Sequence, residues 1–297
     1  MAVRVGLAGL GIMGSAYAGH LLDANFDVAG FDIDADALER FRARGGHPVA
    51  SARALAQESD VLIAALPSVA AVTAAFSGKD GIEAAATPRL IVVEAGTFPL
   101  DVKERIWHGL EARGARVLDA PVSGTGVQAQ TKDLVFFASG DRDAFETAWP
   151  VLEAVARDVR YVGAFGLGSK LKFIANLLVT IHNLSSAEAL VLAEKAGVDP
   201  QLILDVLGDS AATSRMLQVR GPMMARGEYQ PASMKLNVYE KDIKIIGAFA
   251  EALECPTPLF SASTQFYRAA IAEGYGNDDT AAIADVLRKM AGLPVKR

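Results

Sequence analysis

Residues 3–22 read VRVGLAGLGIMGSAYAGHLL. Val3–Gly9 is a short, almost wholly apolar run. Glycines follow at Gly9, Gly11 and Gly14, and then an apolar stretch of helical period. A strand that is apolar on both faces belongs in a covered parallel sheet. The G-x-G-x-x-G spacing is weak evidence alone. Here it follows a strand, opens a helix and begins an α/β unit, which gives it force. Gly9 permits a tight turn, Gly11 lets a pyrophosphate approach the backbone, and Gly14 lets helix and strand pack closely. The helix N-terminus offers amides and the positive end of a dipole to phosphate oxygens. Gly9, Leu10, Gly11, Ile12, Met13 and Gly14 are therefore read as a dinucleotide-binding turn. The competing reading is a glycine turn with no ligand.

The pattern continues along the chain. Apolar runs recur at 26–32, 60–66, 89–95, 115–120, 134–139 and 159–163, with helical patterns between many of them, as at 34–44, 99–113 and 143–155. Strand and helix in alternation predict a parallel, doubly wound sheet. After about Gly163 the strand patterns stop. Helical patterns then occupy 169–196, 199–208, 213–226, 232–254, 257–274 and 278–291. The expected architecture is α/β, with a Rossmann-type parallel-sheet domain over 1–163 followed by an all-α domain over 164–297.

The second strand ends in FDID, which places Asp32 eighteen residues after Gly14. A ribose-binding carboxylate belongs at about that distance. It would accept from both ribose hydroxyls and repel a 2′-phosphate, and Ile33 rather than an arginine follows it. NAD is the expected cofactor, with NADP as the alternative. Leu66, Pro67 and Thr97 end later strands at the same carboxyl edge, where ligands sit in such sheets. They are read as nicotinamide-side contacts or as plain turns.

Composition narrows the class. At 51% hydrophobic and 22% charged over 297 residues, the chain is globular rather than disordered. Net charge is −6, and no basic concentration points to nucleic acid or an anionic membrane surface. The single cysteine, Cys255, cannot form an internal disulfide and is expected as a small core hydrophobe. The four histidines share no ligand spacing, so no metal is assigned. Residues 171–193 tempt a membrane reading, but they carry Lys172, Asn176, His182, Asn183 and Glu188. With no signal-peptide pattern at the N-terminus, a soluble cytoplasmic protein is expected. The long apolar helix of 169–196 also predicts a homodimer or homotetramer.

On that helix Lys172 and Asn176 lie four residues apart and share one face. Thr180 and Asn183 continue it, as a wet cleft would require. Oxidising an alcohol with a nicotinamide needs a hydride acceptor and a base for the hydroxyl proton. A lysine that is partly desolvated beside a cation is disfavoured in its charged form, which suits it to that role. A snorkelling surface lysine is the alternative.

Four motifs in order resemble those of the β-hydroxyacid dehydrogenase family, which includes 3-hydroxyisobutyrate dehydrogenases and tartronate semialdehyde reductases. They are GLAGLGIMG, Asp119-Ala-Pro-Val-Ser-Gly124, Gly166-x-Gly168-x-x-x-Lys172-x-x-x-Asn176 and Lys241-Asp242-Ile243. The resemblance implies catalysis by Lys172 and Asn176, substrate binding by Ser123, Gly124 and Thr125, and a substrate or cofactor contact at Lys241. Arg215, in a stretch similar to the tartronate semialdehyde reductases, is implied to meet a second polar group of the substrate. The chain departs from the family pattern at Thr125, near Gln128 and at Lys132, where glycine is usual, and at Ala175, where a second asparagine often stands. The expected activity is hydride transfer between NAD and a small 3-hydroxy acid. The alternatives are an NADPH-preferring semialdehyde reductase, an L-threonate-type dehydrogenase and a non-catalytic dinucleotide-binding module.

Overall fold

The computed structural model describes residues 3–296. The chain divides into two compact units, Met1–Lys172 and Phe173–Arg297. Among the described residues the first holds nine strands: β1 (Arg4–Ala8), β2 (Asp27–Phe31), β3 (His47–Pro48), β4 (Val61–Ala64), β5 (Ile91–Glu94), β6 (Arg116–Asp119), β7 (Val122–Ser123), β8 (Val135–Gly140) and β9 (Asp158–Gly163). Its helices are α1 (Ile12–Asp23), α2 (Ala35–Ala43), α3 (Ala52–Glu58), α4 (Val69–Phe76), α5 (Leu100–Glu111), α6 (Gly126–Gln130) and α7 (Arg142–Val155). All seven strands expected from apolar runs are present.

The sheet order is β3-β2-β1-β4-β5-β6-β8-β7, with β9 on β8. From β3 to β6 every pairing is parallel. The strands β4 and β5 are buried at every residue, because helices cover both faces. Two apolar layers result, one around Tyr17, Phe136 and Phe145 and the other around Phe76, Phe98 and Ile106. The expectation of a parallel sheet needs one refinement: β8 runs antiparallel to β6 and β7. The chain returns along this edge through a loop and the five-residue α6, without the long crossover that a parallel pairing requires. The strand order reverses direction at β1, so the carboxyl ends of β1 and β4 frame the crevice where ligands bind in such sheets.

Among the described residues, the long elements of the second unit are helices: most of α8 (Leu167–Lys195), then α9 (Pro200–Leu207), α10 (Arg215–Arg226), α11 (Leu236–Ala252), α12 (Pro258–Ala270) and α13 (Ile283–Met290). By length and composition α8 could cross a bilayer. It instead buries Asn176, Thr180, Asn183 and Ser186 in the protein interior, as a core helix does. Two expected helices are interrupted. The 257–274 pattern ends as α12 at Ala270, and a π-turn with Gly274 at φ 92° follows. The 232–254 pattern starts only at Leu236. Asp279 takes the amides of Ser233 and Met234 with its Oδ2 at 2.9 and 3.0 Å, which holds that segment out of helix. Cys255 is exposed, not a core residue, because it lies in the turn between α11 and α12.

Asp279 is fully buried, and Arg220 Nε reaches its Oδ1 at 3.0 Å. Burial pushes this carboxyl up, but Arg220 and the hydrogen bonds from Ser233, Ala281 and Met234 outweigh burial and hold it below its usual range. A depressed folded value stabilises the protein above the unfolded pKa and loses that stability as pH falls through the folded one. Arg220→Ala should therefore cost about 3–5 kcal/mol in urea unfolding at neutral pH, by stranding a buried charge. The gap from wild type should close in acid as Asp279 takes up its proton. A gap that stays constant down to strong acid would refute this account.

Candidate active site

The turn after β1 has the shape a pyrophosphate needs. Gly9 takes φ 92°, in the left-handed region that favours glycine. A Cβ on Gly14 would overlap the Gly9 carbonyl oxygen, so close packing of helix on turn demands glycine there. Gly11 is exposed, and a Cβ on it would meet nothing within 4 Å. No side chain caps α1 at Gly11, and the first amides of a helix have no intrahelical acceptor. Leu10 is buried beneath the turn and Met13 half-buried, while Ile12 is 74% exposed. These features fit a dinucleotide.

Asp32 is half-buried just past β2. Its Oδ2 accepts the Leu10 amide at 2.6 Å and its Oδ1 the Asp34 amide at 2.9 Å. The carboxylate thus ties the end of β2 to the glycine turn. Arg40 lies on α2, with its guanidinium 3.7 Å from Asp34. Leu66 and Pro67 follow β4, and Thr97 follows β5, all on the carboxyl edge of the sheet.

Ser123 closes the short strand β7, paired with Val135, and is half-buried. Gly124 takes φ 139°. The Thr125 amide donates to Gln128 Oε1 at 3.0 Å, and Gln128 Nε2 donates to Asp133 at 3.3 Å. The amide of Thr125 is therefore engaged within its own loop. A Cβ on Gly126 would overlap the Ile12 side chain, so this loop lies directly against the nucleotide turn. Lys132 takes φ 61°, a left-handed conformation that costs a non-glycine residue about 1–2 kcal/mol.

Beyond this loop lies a buried ionic cluster that sequence reading missed. Lys103 Nζ, on α5, is 2.6 Å from Asp119 Oδ1 and 2.7 Å from Glu94 Oε2, and all three side chains are at most 1% exposed. Burial pushes Glu94 above its usual range, and attraction to Lys103 offsets only part of this. Burial alone would lower Lys103, but Asp119 and Glu94 outweigh it and hold the ammonium charged. Asp119 also accepts from Ser169, whose amide lies 2.8 Å from Oδ2 and whose hydroxyl lies 2.8 Å from Oδ1.

Ser169 belongs to the first turn of α8, and the motif glycines shape that turn. Gly166 takes φ 89°. A Cβ on Gly168 would overlap the Phe137 carbonyl oxygen and stand 2.7 Å from that of Asp119. Lys172 follows one turn on, 9% exposed, while Lys170 points to solvent.

In the helical unit, Asn176 Nδ2 donates to Asp242 Oδ2 at 2.9 Å, and Lys241 Nζ is 3.6 Å from Asp242 Oδ1. Asp242 thus bonds Asn176 of α8 and lies within ion-pair distance of Lys241 on its own helix. The expectation of a wet face at Thr180 and Asn183 is overturned, since both are fully buried. Thr180 Oγ1 bonds the Tyr239 hydroxyl at 2.9 Å, and Asn183 donates to the Tyr267 hydroxyl at 3.0 Å. Burial pushes both phenols above their ordinary range, so they remain neutral partners. Arg215 is exposed at the start of α10, 3.4 Å from Gln218 Oε1.

Residues 4–163 match the family model described as the NAD-binding domain of 6-phosphogluconate dehydrogenase. Residues 166–287 match that of NADP-dependent 3-hydroxyisobutyrate dehydrogenase. The chain is similar to L-threonate dehydrogenase of Cupriavidus necator, 34% identical over 287 residues that cover 96% of both chains. Its structure is similar to that of 3-hydroxyisobutyrate dehydrogenase from Salmonella typhimurium, with TM-score 0.84 at 31% identity over 96% of this chain and 99% of that one. It is likewise similar to 3-hydroxyisobutyrate dehydrogenase of Mycobacterium tuberculosis with L-serine, with TM-score 0.88 at 28% identity over 97% and 100%.

Proposed function

The chain belongs to the β-hydroxyacid dehydrogenase family and is an NAD(P)-dependent dehydrogenase; from this premise we propose that it oxidises a short hydroxy acid with NAD, with Lys172 as general base. The observation that carries the reading is a buried lysine on a helix whose first turn is bonded into the end of the β6 strand, beside the loop of Ser123. The nicotinamide, when bound, supplies the hydride acceptor. Lys172 takes the hydroxyl proton as the carbinol becomes a carbonyl, and returns it in the reverse direction. Asn176, held by Asp242, orients the reacting oxygen. Ser123 and the Gly124 amide grip the carboxylate. Lys241 contacts substrate or cofactor, and Arg215 meets a second polar group. Asp32, with the 95% exposed Ile33 beside it, suits an unphosphorylated ribose and so favours NAD.

Two acids are to be tested first. 3-Hydroxyisobutyrate follows from the motifs, and L-threonate from the 34% identity to a threonate dehydrogenase along nearly the whole chain. NAD and NADP would each be mixed with these, glycerate, L-serine and 3-hydroxypropionate, and absorbance followed at the NADH band. Turnover with NAD on one acid is expected. A preference for NADP would defeat the reading of Asp32, and inactivity on all five with NADH still bound would favour a binding module.

We also read the protein as a cytoplasmic homodimer or homotetramer. Leu167, Leu171, Ile174 and Leu178 form an exposed apolar stripe along α8 at helical spacing. A monomer by light scattering would defeat that reading.

A further inference from the structure

The start of α8 is fully provided with partners. The first amides of a helix lack intrahelical acceptors and must be met from outside. Here the Leu167 amide bonds Ala164 O at 3.2 Å, Gly168 bonds Ser139 Oγ at 3.0 Å and Ser169 bonds Asp119 Oδ2 at 2.8 Å. The first bond of helical spacing, from Lys170 to Gly166, then closes at 3.1 Å. Ser139 Oγ in turn donates to the Asp119 main-chain oxygen at 3.1 Å. Two of these three external acceptors therefore converge on Asp119. A buried carboxylate at a helix N-terminus also meets the positive end of its dipole.

We infer that Asp119 is a positioning residue that clamps the first turn of α8 and thereby sets where Lys172 is presented. The inference rests on the proposed role of Lys172. Ser169 is gripped at both its amide and its hydroxyl, which fixes the turn against both sliding and rotation. Lys172 stands three residues further along the same helix. Lys103 makes the clamp affordable, since its ammonium offsets the carboxylate where no water reaches. Glu94 shares the ammonium but does not bond α8. It bonds the Gly96 amide instead, at 2.9 Å. That difference separates a role in positioning from a role in charge balance.

The test compares Asp119→Asn with Glu94→Gln. In the first, Glu94 loses a negative neighbour and takes over as counter-ion to Lys103, so the fold should hold. Expected for Asp119→Asn is a kcat lowered about 100-fold, as an ångström of misplacement can cost. The substrate KM and NADH affinity should stay near wild type. Hydrogen exchange in the peptide covering 166–172 should quicken about tenfold or more without cofactor, through loss of a charge-assisted bond. Glu94→Gln should leave both readouts unchanged.

Wild-type kcat and exchange in Asp119→Asn would overturn the inference. So would equal changes in both variants, which would make the cluster a matter of stability alone. If Asp119→Asn fails to fold, Ser169→Ala decides. It removes only the hydroxyl and should lower kcat about fivefold; an unchanged kcat overturns the clamp. If the wild type oxidises no hydroxy acid, the reading of Lys172 fails, and exchange at 166–172 still judges the clamp.

Discussion

Lys172→Ala should lower kcat by about 10²–10⁴-fold, the range that a positioned general acid or base contributes, while NADH binds as in wild type. The side chain is 9% exposed, on a helix that begins against the ends of β6 and β8. A lysine is rarely buried this far without a specific task. Two tasks compete, proton transfer and a structural ion pair. Loss of a buried structural ion would lower the melting temperature, and an added amine would not restore it. Loss of a base would leave folding largely intact, and small primary amines diffusing into the gap should recover part of the turnover. The pH profile should lose its rising limb, because the group that must be neutral to accept the proton is gone. Retention of a tenth or more of wild-type kcat would remove Lys172 from the mechanism.

Gly11→Val should weaken NADH binding by about 100-fold, the loss of a close phosphate approach worth about 2.7 kcal/mol. Its melting temperature should stay near wild type. The two glycines of the turn are tied down for different reasons, and this makes the pair diagnostic. A side chain on Gly11 enters open space, so only a ligand can object to it. A side chain on Gly14 strikes the Gly9 carbonyl oxygen, so the protein itself objects. Gly14→Ala should therefore lower the melting temperature as well as the affinity. Fluorescence titration with NADH and calorimetry on the same samples decide it. Tight NADH binding by Gly11→Val would mean that the pyrophosphate does not sit on this turn.

The sequence by itself determined the features carried by neighbouring residues. The strands show as apolar runs because helices cover both faces of a parallel sheet, leaving no polar alternation to blur them. The nucleotide turn shows because the positive φ of Gly9 and the close packing of Gly14 on the Gly9 carbonyl are local demands made within six residues. Lys172 and Asn176 show as a pair because helical spacing alone puts them on one face.

What packs against that face was decided only in three dimensions. Thr180 and Asn183 read as the continuation of a wet cleft, yet Tyr239 and Tyr267 arrive on α11 and α12 and turn them into core hydrogen bonds. Asp242 meets Asn176 across 66 residues of chain. Glu94, Lys103 and Asp119 come from β5, α5 and β6, and Ser169 reaches Asp119 across 50 residues. No local period links such residues, because each satisfies a buried charge or amide belonging to another element. The direction of β8 likewise depended on the route the chain took back to the sheet. Periodicity reports which side of an element is covered, and only the assembled fold supplies the partner that makes a buried polar group affordable.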